Sequence, residues 1–204
     1  MNSYVSVDLE TTGFSSSTCD IIEIGAWKIK DGVAVEKFST LVRPIVYIPR
    51  NVQEMTGITM DMVAECETIE PVLAEFFDWC EDLPFLGYNL PFDFNFLVAK
   101  GKPLGLDFTL KNMRTGIDVL ELVKKVYNFQ SNKLADVCKE LSINIQGNGL
   151  DFHRAIYDAY MTKLVYEHIF VSHPNVSGVK LPKMLVHNDI QYGTVTNTDT
   201  LSFE

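Results

Sequence analysis

No stretch of this 204-residue chain approaches the roughly 20 consecutive apolar residues that a membrane helix needs, although hydrophobic residues make up 47 % of it. No membrane association is therefore expected. Met1-Asn2-Ser3-Tyr4 lacks the basic-then-apolar pattern of a secretory signal, so a cytoplasmic location is expected. Cysteine is scarce: Cys19, Cys66, Cys80 and Cys138 stand far apart with no CxxC pair. That spacing argues against a zinc site or a disulfide framework and predicts reduced, mostly buried thiols. Histidine numbers four, too few for a His-rich metal site. Positive charge is also short, with 17 Lys and Arg against 27 Asp and Glu and a net charge of −10, which by itself argues against a passive nucleic-acid binder.

The charge is unevenly spread. From Glu54 to Asp82 there are nine acids and no Lys or Arg, whereas Lys100 to Lys133 holds seven basics (Lys100, Lys102, Lys111, Arg114, Lys124, Lys125, Lys133) against three acids. Each block reads as a solvated face, with a phosphate-tracking surface as the alternative for the basic one.

Residues 5–13 open with a strand. Ile21 to Lys30 is β-branched and partly alternating, Asp31-Gly32 is a hairpin signal, and Val33 to Val42 returns. An antiparallel meander is expected. Helical spacing follows over Pro71–Glu81, then a short buried strand at Pro84–Tyr88, and a helix opened by Pro91 with Phe92, Phe96 and Val98-Ala99 on its inner side. A further short strand is expected over Leu106–Leu110. Helices follow over Asp118–Tyr127 and Lys133–Leu141, the second capped by Asn132. Gly147-Asn148-Gly149 marks a flexible loop, and Ala155–Phe170 is the clearest amphipathic helix. Composition shifts at Ser172, where Pro, Gly and Thr become frequent. A meander followed by alternating helices and strands predicts an α/β fold with a mixed sheet.

Three places put acids where they need a reason. Asp8 and Glu10 lie at i and i+2 on the opening strand and so project side by side. Their mutual repulsion raises both pKa values, and a divalent metal is the simplest relief, a solvated strand end being the alternative. Asp93 stands in a first helical turn among Phe92, Phe94 and Phe96, where the helix dipole favours it but unpartnered burial is costly. Asp158 lies beside the apolar stripe of the last helix, with His153 five residues earlier at or before the helix start.

Together, Asp8-Leu9-Glu10-Thr11-Thr12-Gly13, then Asn89 to Leu97 around Phe92-Asp93, then His153-Arg154-Ala155-Ile156-Tyr157-Asp158-Ala159 resemble the DEDDh (DnaQ-like) 3′→5′ exonucleases, in particular the DNA polymerase III epsilon-type proofreading exonucleases. Ile21–Ala26 resembles the second strand of that family, and Met55-Thr56-Gly57-Ile58-Thr59 its M-T-G-I-T segment. The family often has His-Asn where this chain has Tyr88-Asn89, which implies altered substrate fit rather than altered chemistry.

The resemblance implies a ribonuclease H-like fold: a five-stranded mixed sheet flanked by helices, with the opening strand central. It implies an exonuclease domain over residues 1–171 and a C-terminal extension, tail or added hairpin, over 172–204. It further implies catalysis by His153 as general base with Asp8, Glu10, Asp93 and Asp158, the four carboxylates holding two divalent ions, Mg²⁺ or Mn²⁺. Two such ions balance four carboxylates, which reconciles an acidic chain with a nucleic-acid substrate. Thr11, Thr56 and Phe92 are implied near the terminal nucleotides. The expected product is a nucleoside 5′-monophosphate released from a single-stranded or frayed 3′ end, DNA favoured over RNA, with a DNA polymerase as a possible partner. The alternatives are an RNA-trimming enzyme of the ribonuclease T kind and a non-catalytic nucleic-acid-binding module. If the basic block tracks phosphates, replacing Lys124 and Lys125 by Glu raises the apparent KM for long oligonucleotides; an unchanged KM identifies it as ordinary surface.

Overall fold

The computed structural model describes residues 3–108, 116–143, 154–173 and 176. β1 (Tyr4–Thr11), β2 (Ile21–Lys30) and β3 (Val33–Leu41) form the expected meander, and β4 (Phe85–Gly87) and β5 (Ile117–Asp118) complete a five-stranded sheet. Its order is β3-β2-β1-β4-β5. The β1–β2 and β2–β3 pairs are antiparallel, whereas β1–β4 and β4–β5 are parallel, so the sheet is mixed and the opening strand is central. Asp31 and Gly32 both take positive φ, 51° and 78°, as a tight hairpin turn requires.

The period-two alternation of β1 sorts its side chains between two layers. Val5, Val7 and Leu9 enter a core with Phe76, Phe85, Phe94 and Phe108, covered by α3 (Ile69–Trp79) and α4 (Leu90–Gly101). Tyr4 joins the opposite core, with Val123, Val137 and Tyr166, covered by α5 (Val119–Val126), α6 (Leu134–Glu140) and α7 (Ala155–Ser172). Between β3 and α3 lie the short helices α1 (Arg50–Thr56) and α2 (Met60–Val63). No helix among the described residues is long and apolar enough to cross a membrane.

Several local expectations are corrected. α3 begins two residues before Pro71, because a proline within the first helical turn removes only an N–H that has no partner there. Leu106–Phe108 is not a strand, and residues 109–110 lie outside the described region. Phe108 is instead buried among Phe76, Phe77 and Phe85, and the fifth strand is Ile117–Asp118. The residue preceding α6 is Lys133, not Asn132; the Asn132 carbonyl accepts a hydrogen bond from the Tyr88 hydroxyl at 2.6 Å. On α4 it is Phe94 that is buried, while Phe92 is half-exposed. Only Cys80 and Cys138 are buried; Cys19 and Cys66 are half-buried. Lys100 of the basic block is bound to Asp20 at 2.7 Å, and Lys111 and Arg114 lie outside the described residues, as do Gly147-Asn148-Gly149 and residues 177–204.

α7 is the largest departure. Rather than a simple amphipathic helix, it is buried nearly all round, Thr162 and Lys163 included, because β1 and β2 pack on one side of it and α5 and α6 on the other. Its start lies directly on β2. A Cβ placed on Gly25 would come within 2.0 Å of the Ile156 nitrogen and 2.2 Å of the Ala155 carbonyl carbon. Those neighbours are backbone and cannot rotate aside. Gly25→Ala is therefore expected to lower stability by about 3 kcal/mol, read as a lower urea midpoint at unchanged slope; an unaltered midpoint would show that the helix start has room to retreat.

Candidate metal centre

Three carboxylates converge where β1 ends and α7 begins. Asp8 and Glu10 follow Ser6 on the face of β1 that meets α7, and the Ser6 hydroxyl donates to the Ala159 carbonyl at 2.6 Å. That bond clamps the helix beside the strand one residue past Asp158, which occupies the first turn of α7. One oxygen from each of Asp8, Glu10 and Asp158 lies within 4.8 Å of the others. Glu10 is buried, and Asp8 and Asp158 are half-buried. The N-terminal end of α7 offers partial positive charge to Asp158.

Asp93 approaches from the other side of β1. β4 pairs with β1 only at Val5 and Ser6, so the Leu9 amide, further along that edge, is left without a strand partner there. Asp93, in the first turn of α4, accepts this N–H at 3.0 Å. It is buried at 2 % exposure and stands outside the three-carboxylate group, yet among the charged neighbours of Asp8 it is the strongest. Its helix is aimed by Asn89, which adopts the left-handed conformation at φ 63°. The Asn89 amide donates to Asp118 at 3.0 Å, and the same Asp118 oxygen accepts the Leu120 amide at 3.0 Å. One buried carboxylate thus caps α5 and holds the turn that presents Asp93.

The electrostatics follow from this crowding. Burial is the leading cause that raises the Asp8 pKa well above the carboxylate range, reinforced by Asp93, Asp158, Glu10 and Glu23. Glu10 is pushed from 4.5 to about 8, again chiefly by burial, then by Asp158, Glu23 and Asp93, with Arg154 opposing. Burial raises Asp93 as well, against the backbone N–H bonds that lower it. Arg154 offers limited relief, because its guanidinium forks onto Glu23 at 2.6–3.1 Å. An all-oxygen donor set of closely spaced carboxylates with excess negative charge fits a hard divalent cation such as Mg²⁺ or Mn²⁺.

His153 lies outside the described residues. Thr11 is buried, and its hydroxyl donates to the Gly13 carbonyl at 2.7 Å. Thr56 is also buried, its hydroxyl donating to the Val52 carbonyl at 2.9 Å and accepting the Ile58 amide at 3.1 Å. Phe92 packs against Phe96 and meets the ring of Phe14 edge-on at 6.4 Å.

Three residues of the site escaped the sequence reading. Phe14 is 93 % exposed, and an aromatic directly after Gly13 in a polar loop was its signal. Glu23 is fully buried, and its signal was an acid between Ile22 and Ile24, since a carboxylate in an apolar strand demands a partner. Asp118 stood at the start of a predicted helix; its bond to the Asn89 amide left no sequence signal.

A family model described as Exonuclease matches residues 5–166. A DNA polymerase III PolC-type from Clostridium perfringens is 39 % identical over 168 residues, covering 82 % of this chain and 11 % of its own length. The chain thus spans about a tenth of the length of the curated relatives it matches. Among solved structures, Exonuclease X in complex with 5′ overhanging duplex DNA aligns with a TM-score of 0.65 and 26 % identity, covering 85 % of this chain and 93 % of that one. The nuclease domain of 3′hExo, a DEDDh family member bound to rAMP, aligns at 0.70 with 18 % identity, covering 84 % and 93 %. These likenesses confirm the ribonuclease H-like architecture.

The raised carboxylate pKa values make a stability prediction. A proton is held more tightly by folded than by unfolded protein, so the metal-free chain is favoured below about pH 4.5 and loses that contribution as pH rises through about 8, the window set by Glu10. The expected loss is on the order of a few kcal/mol, or roughly 5–10 °C in Tm. Mn²⁺ at pH 8 should restore it and at pH 5 add little. Glu10→Gln should flatten the metal-free profile; a Tm equally insensitive to pH and Mn²⁺ in the unaltered protein would remove the metal-site reading.

Proposed function

The chain belongs to the exonuclease family as a DnaQ-like member, and on that premise we propose that it removes nucleoside 5′-monophosphates one at a time from the 3′ end of DNA. The observation that carries this reading is the convergence of Asp8, Glu10 and Asp158 within 4.8 Å. Asp8, Glu10 and Asp158 would hold divalent cations, two of Mg²⁺ or Mn²⁺, which would supply the positive charge that lets the carboxylates and a phosphodiester share one site, and Lewis-acid activation of the phosphoryl group.

The chain's own residues carry the rest. Asp8, Glu10 and Asp158 are the cation ligands, and Asp93 adds the fourth negative charge while its bond to the Leu9 amide holds the end of β1. His153, one residue before Arg154, is the general base. An imidazole with an ordinary pKa of about 6.5 removes a proton from the attacking water near neutral pH. Backbone at Thr11 holds the terminal 3′-hydroxyl, Thr56 backs the terminal nucleotide through its helix end, and Phe92 with exposed Phe14 offers aromatic surface to unstacked bases. Residues 1–171 form the nuclease domain and 172–204 an extension.

DNA is favoured because the curated relatives are DNA polymerase III chains of the PolC type and the Exonuclease X structure holds DNA. The same relatives support a polymerase as partner.

Incubating the chain with 5′-labelled and 3′-labelled single strands of DNA and RNA, with Mn²⁺ or with chelator, tests the reading. The expected result is metal-dependent mononucleotide release from the 3′ end, faster on DNA. Asp8→Asn and His153→Ala should each lower kcat by about 100-fold or more, while exposed Lys37→Ala leaves it unchanged. Release from the 5′ end, internal cleavage, or activity in chelator would refute it.

A further inference from the structure

Three side-chain positions of β2 lie directly opposite the working face of β1. Glu23 pairs across the sheet with Glu10, Gly25 with Asp8, and Trp27 with Ser6. Each of the three engages the first turn of α7 differently. Glu23, with no exposed surface, takes the Arg154 guanidinium through Nε at 3.0 and 3.1 Å and Nη2 at 2.6 Å. Its Oε2 also accepts the Ala155 amide at 3.0 Å. Gly25 has no side chain where the backbone of Ala155 and Ile156 passes. The Trp27 indole N–H donates to the Ile156 carbonyl at 2.9 Å.

This arrangement opposes a specific force. Asp158 rides on the first turn of α7, and its charge and those of Asp8 and Glu10 repel one another. Left to that repulsion, the helix start would withdraw from the strand. A forked carboxylate–guanidinium pair is directional and strong when buried, and here it is supplemented by a helix-terminal N–H that would otherwise want a partner. We infer that β2 is the positioning strand of the site: Glu23 and Trp27, acting through Arg154 and the helix backbone, set the distance of Asp158 from Asp8 and Glu10. Glu23 and Arg154 are positioning residues, not cation ligands. The inference rests on the nuclease reading for its effect on turnover, but not for its effect on cation affinity.

The fork supplies both charge and geometry, and substitutions separate them. Arg154→Gln leaves Glu23 as an uncompensated buried charge beside the ligands. Arg154→Lys keeps the charge and loses the fork. Glu23→Gln with Arg154→Gln removes the charge and keeps an acceptor for the Ala155 amide. Variants of the 204-residue chain are compared by Tm, by the Mn²⁺ concentration that gives half of the thermal shift without substrate, and by kcat and KM on a short DNA oligonucleotide.

For Arg154→Gln, kcat is expected to fall and the Mn²⁺ midpoint to rise by ~10–100-fold, with KM within about threefold. Arg154→Lys, which loses the fork, should also raise the midpoint and lower kcat, less than Arg154→Gln does, and the double variant, in which two amides can pair, should regain part of the midpoint. Trp27→Phe, which removes the indole bond and trims the ring that packs on Tyr160, should lower kcat and keep KM, and serves if the Arg154 variants do not fold. The inference is overturned if Arg154→Gln and Trp27→Phe leave midpoint and kcat within twofold, or if losses follow the folded fraction and the double variant recovers nothing. An unaltered chain that shifts with Mn²⁺ but cleaves nothing refutes the proposed function alone, and the midpoints still decide the positioning role. An unaltered chain that does not respond to Mn²⁺ refutes both.

Discussion

Repulsion among carboxylates is the constraint around which this chain is built. Asp8 and Glu10 share one face of a strand by the geometry of the β pleat, and a helix then brings Asp158 to within 4.8 Å of them. Nothing in local propensity favours that meeting. It is enforced by packing: the central strand is fixed by partners on both edges, and α7 is enclosed by sheet and helices on nearly every side. The hydrophobic burial of those layers is what makes the electrostatic cost tolerable, and the cost in turn creates the site's appetite for cations.

Around the cluster, polar side chains act as struts rather than as reactants. Asp118 ties the end of β4 to the start of α5 through two amides on one oxygen. Asp20 does similar service on the far side, accepting the Ile45 and Val46 amides on one oxygen and Lys100 on the other. Thr12 closes the Gly13–Cys19 loop by accepting the Asp20 amide on its hydroxyl and donating its own amide to the Asp20 carbonyl. Acidic side chains at these junctions explain part of the −10 charge without assigning it to chemistry.

Much of this was legible beforehand. β-Branched content and an Asp-Gly turn located β2 and its return strand, because those signals are local. The pairing of Asp8 with Glu10 followed from a period of two. What failed was decided by tertiary surroundings. The apolar run at Leu106 looks like a strand until a cluster of phenylalanines claims Phe108. α7 reads as one-sided because sequence periodicity does not count how many layers press on a helix. Asn132 is a plausible cap by type, but its carbonyl serves Tyr88 instead. Glu23 was visible as an acid among isoleucines, yet its partner lies 131 positions away, a separation that no local pattern encodes.

That separation has a consequence in time. The Ser6–Ala159 bond spans 153 positions and the Glu23–Arg154 fork 131, so the two halves of the carboxylate group are made at well-separated times during synthesis. A growing chain can form the β1–β2–β3 meander early, but Asp8 and Glu10 remain a pair of acids on an open sheet face until α7 has left the ribosome and docked. The completed site is therefore a property of the finished domain alone. Shortened translation products would carry the first acidic motif of a nuclease without the geometry of one.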